Sequence, residues 1–259
     1  MVDIQFTQGE LEQLMLVFVR ISAFIFIAPY FSISNVPRRV RAGLAFFITL
    51  VVYPVLPRGA LAYSTVIEYG AIVLREGIAG LLLGLSASIC YSIIAFAGRM
   101  IDMDIGFSMV SVLDPISKEE TSISGSFYNY IFMLVMVCSD MPHYLLRAVV
   151  DAYQLVPLGN VQFNMDRLYD SFLAYMADYL IIGFRIVLPI FAVILVTNVV
   201  LGVLAKVAPQ MNMFVIGIQL KIMMGLITIF LTIGMFNNVA NYIFTEMKKM
   251  IVSMIQGMY

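Results

Sequence analysis

Four stretches of this chain carry no charged residue: Gly77–Gly98 (22 residues), Thr121–Ser139 (19), Ile186–Ala205 (20) and Ile222–Thr245 (24). At a rise of about 1.5 Å per residue, about 20 apolar residues cross the hydrocarbon layer of a bilayer as a helix. Backbone in lipid must satisfy its own hydrogen bonds, which selects helix for these stretches. Two weaker candidates precede them: Gln13–Ala28, interrupted by Arg20, and Ala42–Leu56, short and placed between Pro37 and Pro57. The expected fold class is therefore all-α: a polytopic hydrophobic helical membrane protein with about six long hydrophobic helices. Windows at Leu61–Leu74 and Leu145–Val156 are shorter or more polar and fit partial, interfacial or re-entrant segments.

Composition narrows the function classes. Apolar residues make up 62% of the chain and charged ones 12%, against roughly 45–50% and about 25% in soluble domains. No polar block is long enough to enclose a soluble core, so a single membrane domain over residues 1–259 is expected. A net charge of -1 lacks the basic footprint of a nucleic-acid binder. Cys90 and Cys138 lie in apolar stretches, where a thiol acts as a small hydrophobe and not as part of a disulfide framework. Met1 to Glu12 has acidic residues and no basic n-region, so no cleaved signal peptide is expected. Arg38, Arg39, Arg41 and the pair Lys248, Lys249 are the best markers of a cytoplasmic side, while Arg58, Arg147 and Arg167 blur the contrast.

Ionisable residues inside or bordering the apolar runs are Arg20, Arg75, Glu76, Arg99, Asp102, Asp104, Asp178, Arg185, Lys206 and Lys221. Each costs about 2.5–3.5 kcal/mol at a bilayer centre. Arg99, Asp102, Asp104, Arg185, Lys206 and Lys221 are the candidates for buried charge. Arg99 and Asp102, three apart on one helical face, are placed to neutralise one another. The others either snorkel to the interface or line a water-filled path. Gly80, Gly84 and Ser88 recur every four residues and allow close approach of another helix, from this chain or from a neighbouring subunit. The 19 methionines suit flexible core filler or a deformable seal. The run Gly106-Phe107-Ser108-Met109-Val110-Ser111-Val112-Leu113-Asp114-Pro115 follows the Asp102/Asp104 patch and precedes Lys118-Glu119-Glu120. With glycine at its head and Asp-Pro at its end, it fits a re-entrant loop that could act as a gate if protein surrounds it. The end of the preceding helix followed by a turn is the other reading.

Enzyme chemistry finds little support. A zinc site needs three or four ligands, and His143 stands alone with two distant cysteines. Ser86 or Ser124 with His143 would lack a nucleophile elbow. Asp102 and Asp104, two apart on a helix, point to different sides. No P-loop is present, so any energy comes from a partner or from the membrane potential. No enzymatic activity and no cofactor are expected. A rival class is an ion-coupled secondary transporter using Arg99, Asp102, Arg185 or Lys221 as a relay.

Three blocks carry a resemblance. The first is Ala28-Pro29-Tyr30-Phe31-Ser32 leading into Val36-Pro37-Arg38-Arg39-Val40-Arg41-Ala42-Gly43-Leu44-Ala45. The second runs from Gly106-Phe107-Ser108 to Asp114-Pro115. The third is Ala208-Pro209-Gln210-Met211-Asn212-Met213-Phe214-Val215-Ile216-Gly217, extended by Leu220-Lys221-Ile222 and Gly225. With Pro157-Leu158-Gly159 between them, they resemble the FliR family, the R subunits of the flagellar type III export gate. The resemblance implies a chain like a P-type and a Q-type gate subunit fused together. One copy would assemble with several FliP and FliQ subunits, joined by FlhB, inside the rings of the basal body in the bacterial cytoplasmic (inner) membrane. Unfolded rod, hook and filament proteins would pass through the gate. The stretch from Gly106 to Pro115 would be a plug, with Phe107, Met109, Val110, Val112 and Leu113 in the seal. Met109 and Val112 stand where aromatic residues are common in the family. Pro37, Arg38, Arg39, Arg41 and Gly43, with Ala208, Pro209, Gln210, Asn212, Phe214 and Gly217, would serve assembly. A hydrophobic constriction blocks ions by dewetting, which gives such a plug a physical basis. The homologous export subunit of a virulence injectisome shares this architecture and is the alternative.

Overall fold

The structure is a computed structural model in which residues 8–32, 36–56, 61, 63–107, 122–210 and 212–259 are described. Among these residues the α-helices are, in order, α1 Gln8–Ile27, α2 Arg38–Val52, α3 Val66–Ile105, α4 Ile123–Cys138, α5 Met141–Leu155, α6 Met165–Val207, α7 Met213–Thr232 and α8 Phe236–Gln256. A 3-10 turn, Tyr53–Val55, follows α2, and another, Ile233–Met235, joins α7 to α8.

The helix ends obey local chemistry. α3 opens with a capping box: Thr65 Oγ1 accepts from the Glu68 N–H at 3.3 Å, and the Glu68 carboxylate accepts from the Thr65 and Ser64 N–H groups. Ser122 Oγ caps α4 by accepting from Gly125 N–H at 2.9 Å. Asp140 adopts left-handed backbone (φ 53), which breaks the chain between α4 and α5, and Pro142 occupies the first turn of α5, where a missing N–H costs nothing. Asn164 Oδ1 accepts from Arg167 N–H at the start of α6. Asp166 in its first turn and Lys206 in its last complement the helix dipole. Within the helices, Thr49, Ser86, Thr197 and Thr228 return their hydroxyls to carbonyls three or four residues back. This satisfies a polar group without water.

By length and apolarity, three helical stretches among the described residues can cross a membrane: Val66–Ile105, Met165–Val207 and the nearly continuous Phe214–Gln256. The number rises to four if α4 and α5 form one broken span. The charge-free stretches lie in or across these elements. The weaker candidates Gln13–Ala28 and Ala42–Leu56 fall on α1 and α2, so the six expected segments all lie on helices and the all-α, polytopic class holds, with three or four of the helical stretches long and apolar enough to span.

The chain divides into two compact units. One comprises residues Met1–Cys90, Asp140–Tyr175 and Thr245–Tyr259, the other Tyr91–Ser139 and Met176–Phe244. In the first, α1 buries Leu16, Val17, Ile21, Phe24 and Ile25, α3 buries Ala79, Leu83 and Ala87, and α5 buries Leu145, Val149 and Tyr153. Gly80 and Gly84 of α3 face α1, and Ser88 is half-buried. A Cβ on Gly80 would sit 2.2 Å from the Arg20 carbonyl oxygen, and one on Gly84 3.0 Å from that of Phe24. The backbones touch because these residues are glycine. The N–H groups of Gln162 and Asn164 donate to the Met258 and Gly257 carbonyls, which ties the end of the chain to the approach to α6.

In the second unit, Ile93, Ile94, Ala97, Ile101 and Ile105 of α3 are buried, as are Phe132 and Met136 of α4 and Ile190 and Ile194 of α6. Tyr128 stacks on Phe236 at 5.2 Å and Phe132 packs on Phe244 at 5.1 Å. Phe96 lies against Gly183, where a Cβ would be 2.5 Å from its ring.

Replacing Gly80 by alanine must push α1 off α3, because the clashing atom is backbone. The expected loss is about 1–3 kcal/mol, the usual cost of overpacking. Gly77→Ala, whose Cβ would meet Val19 at 3.5 Å, should leave stability close to wild type. Thermal unfolding in detergent compares the two, and equal melting temperatures would contradict the packing.

Candidate functional site

Of the ionisable residues that mark the apolar helices, two groups are bound into the fold. In the first unit, Arg20 and Glu76 form an ion pair at 2.5 Å with side chains 1% and 0% exposed. The Arg20 Nη1 group donates to the Val156 carbonyl at 3.1 Å, and the guanidinium lies 4.2 Å from the centre of the Tyr153 ring. The second carboxylate oxygen of Glu76 accepts from Gly159 N–H at 2.9 Å. Gly159 has φ +80, so the Pro157-Leu158-Gly159 turn needs glycine to aim its N–H at this carboxylate. Sequence reasoning marks both residues as costly charges but not as a pair, since they lie 56 positions apart.

In the second unit, Asp102 in the last turn of α3 is 6% exposed. Its Oδ2 accepts from Ser122 Oγ at 2.7 Å and its Oδ1 from Ser124 N–H at 3.1 Å. The expected Arg99–Asp102 pair does not form: Arg99 is exposed, and the carboxylate faces the start of α4 instead. One turn earlier, a Cβ on Gly98 would lie 2.1 Å from Gly125 Cα and 2.4 Å from its nitrogen, so α3 and α4 meet backbone to backbone.

Gly106 follows at φ +98 with nothing within 4 Å of a Cβ built on it. Glycine is needed there for conformation and not for room. Phe107 beside it is half-buried. Met109, Val110, Val112, Leu113, Asp114 and Pro115 lie outside the described residues. Asp104 is half-buried, with Lys221 near enough for its charge to act on it, and Ile105 packs against Gly225, one turn beyond Lys221. The extension of the Ala-Pro-Gln block thus meets the end of α3.

That block is the connection between α6 and α7. Ala208 is half-buried, Pro209 and Gln210 are exposed in the turn, and Asn212 caps α7 by accepting from Phe214 N–H at 3.2 Å. Phe214 is exposed, and Gly217 is buried against Leu201. In the first block, Pro37 precedes α2, Arg38 and Arg39 are exposed, and Arg41 and Gly43 are half-buried. Arg185 and Lys206 project from the exposed side of α6, and Lys221 is half-buried.

What surrounds these ties is apolar. α6 exposes Leu188, Leu195, Val199 and Val203, and the stretch from α7 toward α8 exposes Phe230 and Leu231. An apolar pocket of about 400 Å³ in the first unit is lined by Ile78, Leu82, Phe163, Leu168, Phe172 and Met254. The Ser86 hydroxyl at its wall is occupied by the Leu83 carbonyl, which leaves that hydroxyl no free proton to orient a ligand. Among the described residues, no three His, Cys, Asp or Glu side chains converge on a metal-sized site.

The family model described as bacterial export proteins, family 1, matches residues 11–247. The flagellar biosynthetic protein FliR of Bacillus subtilis (strain 168) is 29% identical over 233 residues, covering 89% of this chain and 90% of the relative. That of Escherichia coli (strain K12) is 28% identical over 211 residues, 80% of this chain and 79% of the relative. The surface presentation of antigens protein SpaR of Shigella flexneri is 28% identical over 218 residues, 83% of this chain and 82% of the relative.

The buried pair should behave as a unit. Arg20→Met or Glu76→Met alone strands one buried charge and should cost about 3–5 kcal/mol. The double replacement should recover a large part of that loss, a coupling read from a double-mutant cycle on thermal unfolding. Additive losses would show that the two side chains do not interact.

Proposed function

We infer the function from one premise: the chain belongs to the bacterial export proteins, family 1. Its flagellar relatives match along most of its length, and it is a membrane-embedded component of the flagellar protein export gate. The observation that carries this reading is the extent of the match, from residue 11 to 247, which runs through all three motif blocks.

The finer reading is a non-enzymatic subunit, acting as one domain over residues 1–259, that builds the pore with FliP, FliQ and FlhB. It sits in the bacterial inner membrane at the centre of the basal body, within its rings. Unfolded flagellar proteins pass through it, so flagellum assembly requires it. The broad apolar faces of α6 and α7 support contacts of this kind, because contiguous exposed apolar surface marks a membrane or protein interface. The stretch from Gly106 to Pro115 closes the pore, with Phe107, Met109, Val110, Val112 and Leu113 as the seal. In support, the stretch leaves α3 at a glycine whose φ suits a sharp change of direction. The likeness to SpaR supports a second reading, an injectisome export subunit of the same build. Flagellar structural genes beside this one, as against needle and effector genes, separate the two.

Deleting Gly106–Asp114 should raise ion conductance through the assembled gate, measured in membranes that hold the whole complex. Unchanged conductance would overturn the plug. Produced without its P and Q partners, the protein should aggregate in mild detergent. A monodisperse monomer on size-exclusion chromatography would count against the assembly role.

A further inference from the structure

We propose that Asp102 is the positioning residue of the closed gate: its carboxylate ties the departure of the plug stretch from α3 to the return of the chain at α4. This rests on the plug reading above, and it concerns residues on either side of the stretch.

The geometry is specific. α3 ends at Ile105 and α4 begins at Ile123. One carboxylate, three residues before the end of α3, accepts from Ser122 Oγ at 2.7 Å and Ser124 N–H at 3.1 Å. Ser122 Oγ in turn accepts from Gly125 N–H, so the hydroxyl that reaches Asp102 also caps α4. The Asp102 carbonyl accepts from Gly106 N–H at 3.0 Å, which fixes the last turn of α3 up to the glycine. One turn earlier, the Gly98–Gly125 contact holds the same two helices backbone to backbone. Two attachments about 6 Å apart along α3, at 1.5 Å per residue, set both position and direction of the helix ends.

Electrostatics give the carboxylate its reason to be there. A negative charge in the last turn of a helix opposes that helix's dipole, whereas at the start of a helix it is favoured. Asp102 is in the unfavourable place on α3 and the favourable place on α4. Its position is thus explained by the helix it touches and not by the one it belongs to. Bonds of this charge-assisted kind are shorter and stronger than neutral ones. A buried carboxylate that loses both donors is left unpaired, so the two helix ends separate as a unit or not at all.

If this tie sets the seal, breaking it should open the gate even though every residue of the plug is still present. The test is ion conductance of the complete gate, with the amount of assembled complex measured in parallel by co-purification. Asp102→Leu keeps the fork at Cγ and removes both acceptors. Its leak should rise at least about tenfold, the population shift that about 1.4 kcal/mol makes, with assembly unchanged. Asp102→Asn keeps one acceptor for Ser124 N–H and can donate to Ser122 Oγ. Its leak should fall back toward wild type. A tight Asp102→Leu gate beside a leaky Gly106–Asp114 deletion would overturn the tie and leave the plug standing. A tight deletion would overturn the plug itself. An Asp102→Asn gate as leaky as Asp102→Leu would also overturn the tie, because the bonds would then not matter. Should Asp102→Leu fail to assemble, Ser122→Ala decides: it removes one of the two bonds and should leak to an intermediate degree, and a wild-type seal would refute the proposal.

Discussion

In a chain this apolar, a charge drawn inside must find its partner within the protein, and the Arg20–Glu76 pair is where the first unit meets that condition. A single buried ion would cost several kcal/mol. Here the guanidinium has a carboxylate, a backbone carbonyl and an aromatic face, and the carboxylate has a guanidinium and a backbone N–H. These contacts come from α1, α3, the end of α5 and the turn after it. The pair therefore specifies which elements are neighbours, something the non-directional hydrophobic effect does not do. Gly80 makes it possible, because α1 approaches α3 closely enough for the two side chains to bond only where α3 has no Cβ.

The second unit solves the same problem differently. Among the described residues Asp102 is met by no cation; it accepts from a hydroxyl and a backbone N–H at the start of α4. Such donors are left over at every helix start, so a carboxylate aimed there satisfies groups that would otherwise need water. The hydroxyls of Thr197 and Thr228 are absorbed by their own helices. What the two units share is the use of these polar groups to fix an element against its neighbour or to close a helix's own bonds.

The parts legible in the sequence are those in which residues close along the chain cooperate. The charge-free stretches announce helices because transfer energy sums over about 20 consecutive residues. Gly80 and Gly84 announce a helix contact because four residues return to the same face. Asn212 as a cap is local chemistry too, and explains part of a block that reads at first as motif alone. The ties were not legible, because each joins positions distant in sequence. Spacing offers Asp102 a neighbour at Arg99, three residues away, yet it bonds to Ser122, 20 positions on. Gly98 and Gly125 are unremarkable singly, and only their meeting shows why both lack a side chain. Likewise nothing near Glu76 points to Arg20.

The remaining imbalance bears on assembly. The two ties hold their charges inside the fold, whereas α6 and α7 leave large apolar side chains uncovered. Association driven by such faces needs no polar rescue from a partner, since the hydrophobic term scales with area. Lipid could cover the same faces equally well, except where cations interrupt them. Arg185 is exposed in the middle of the long apolar α6, and it would cost about 2.5–3.5 kcal/mol at the centre of a bilayer. A protein neighbour that brings a carboxylate or carbonyl to this position removes that cost, and lipid tails do not. By this physical argument the α6 face would favour a protein neighbour over lipid at Arg185 and accept either elsewhere.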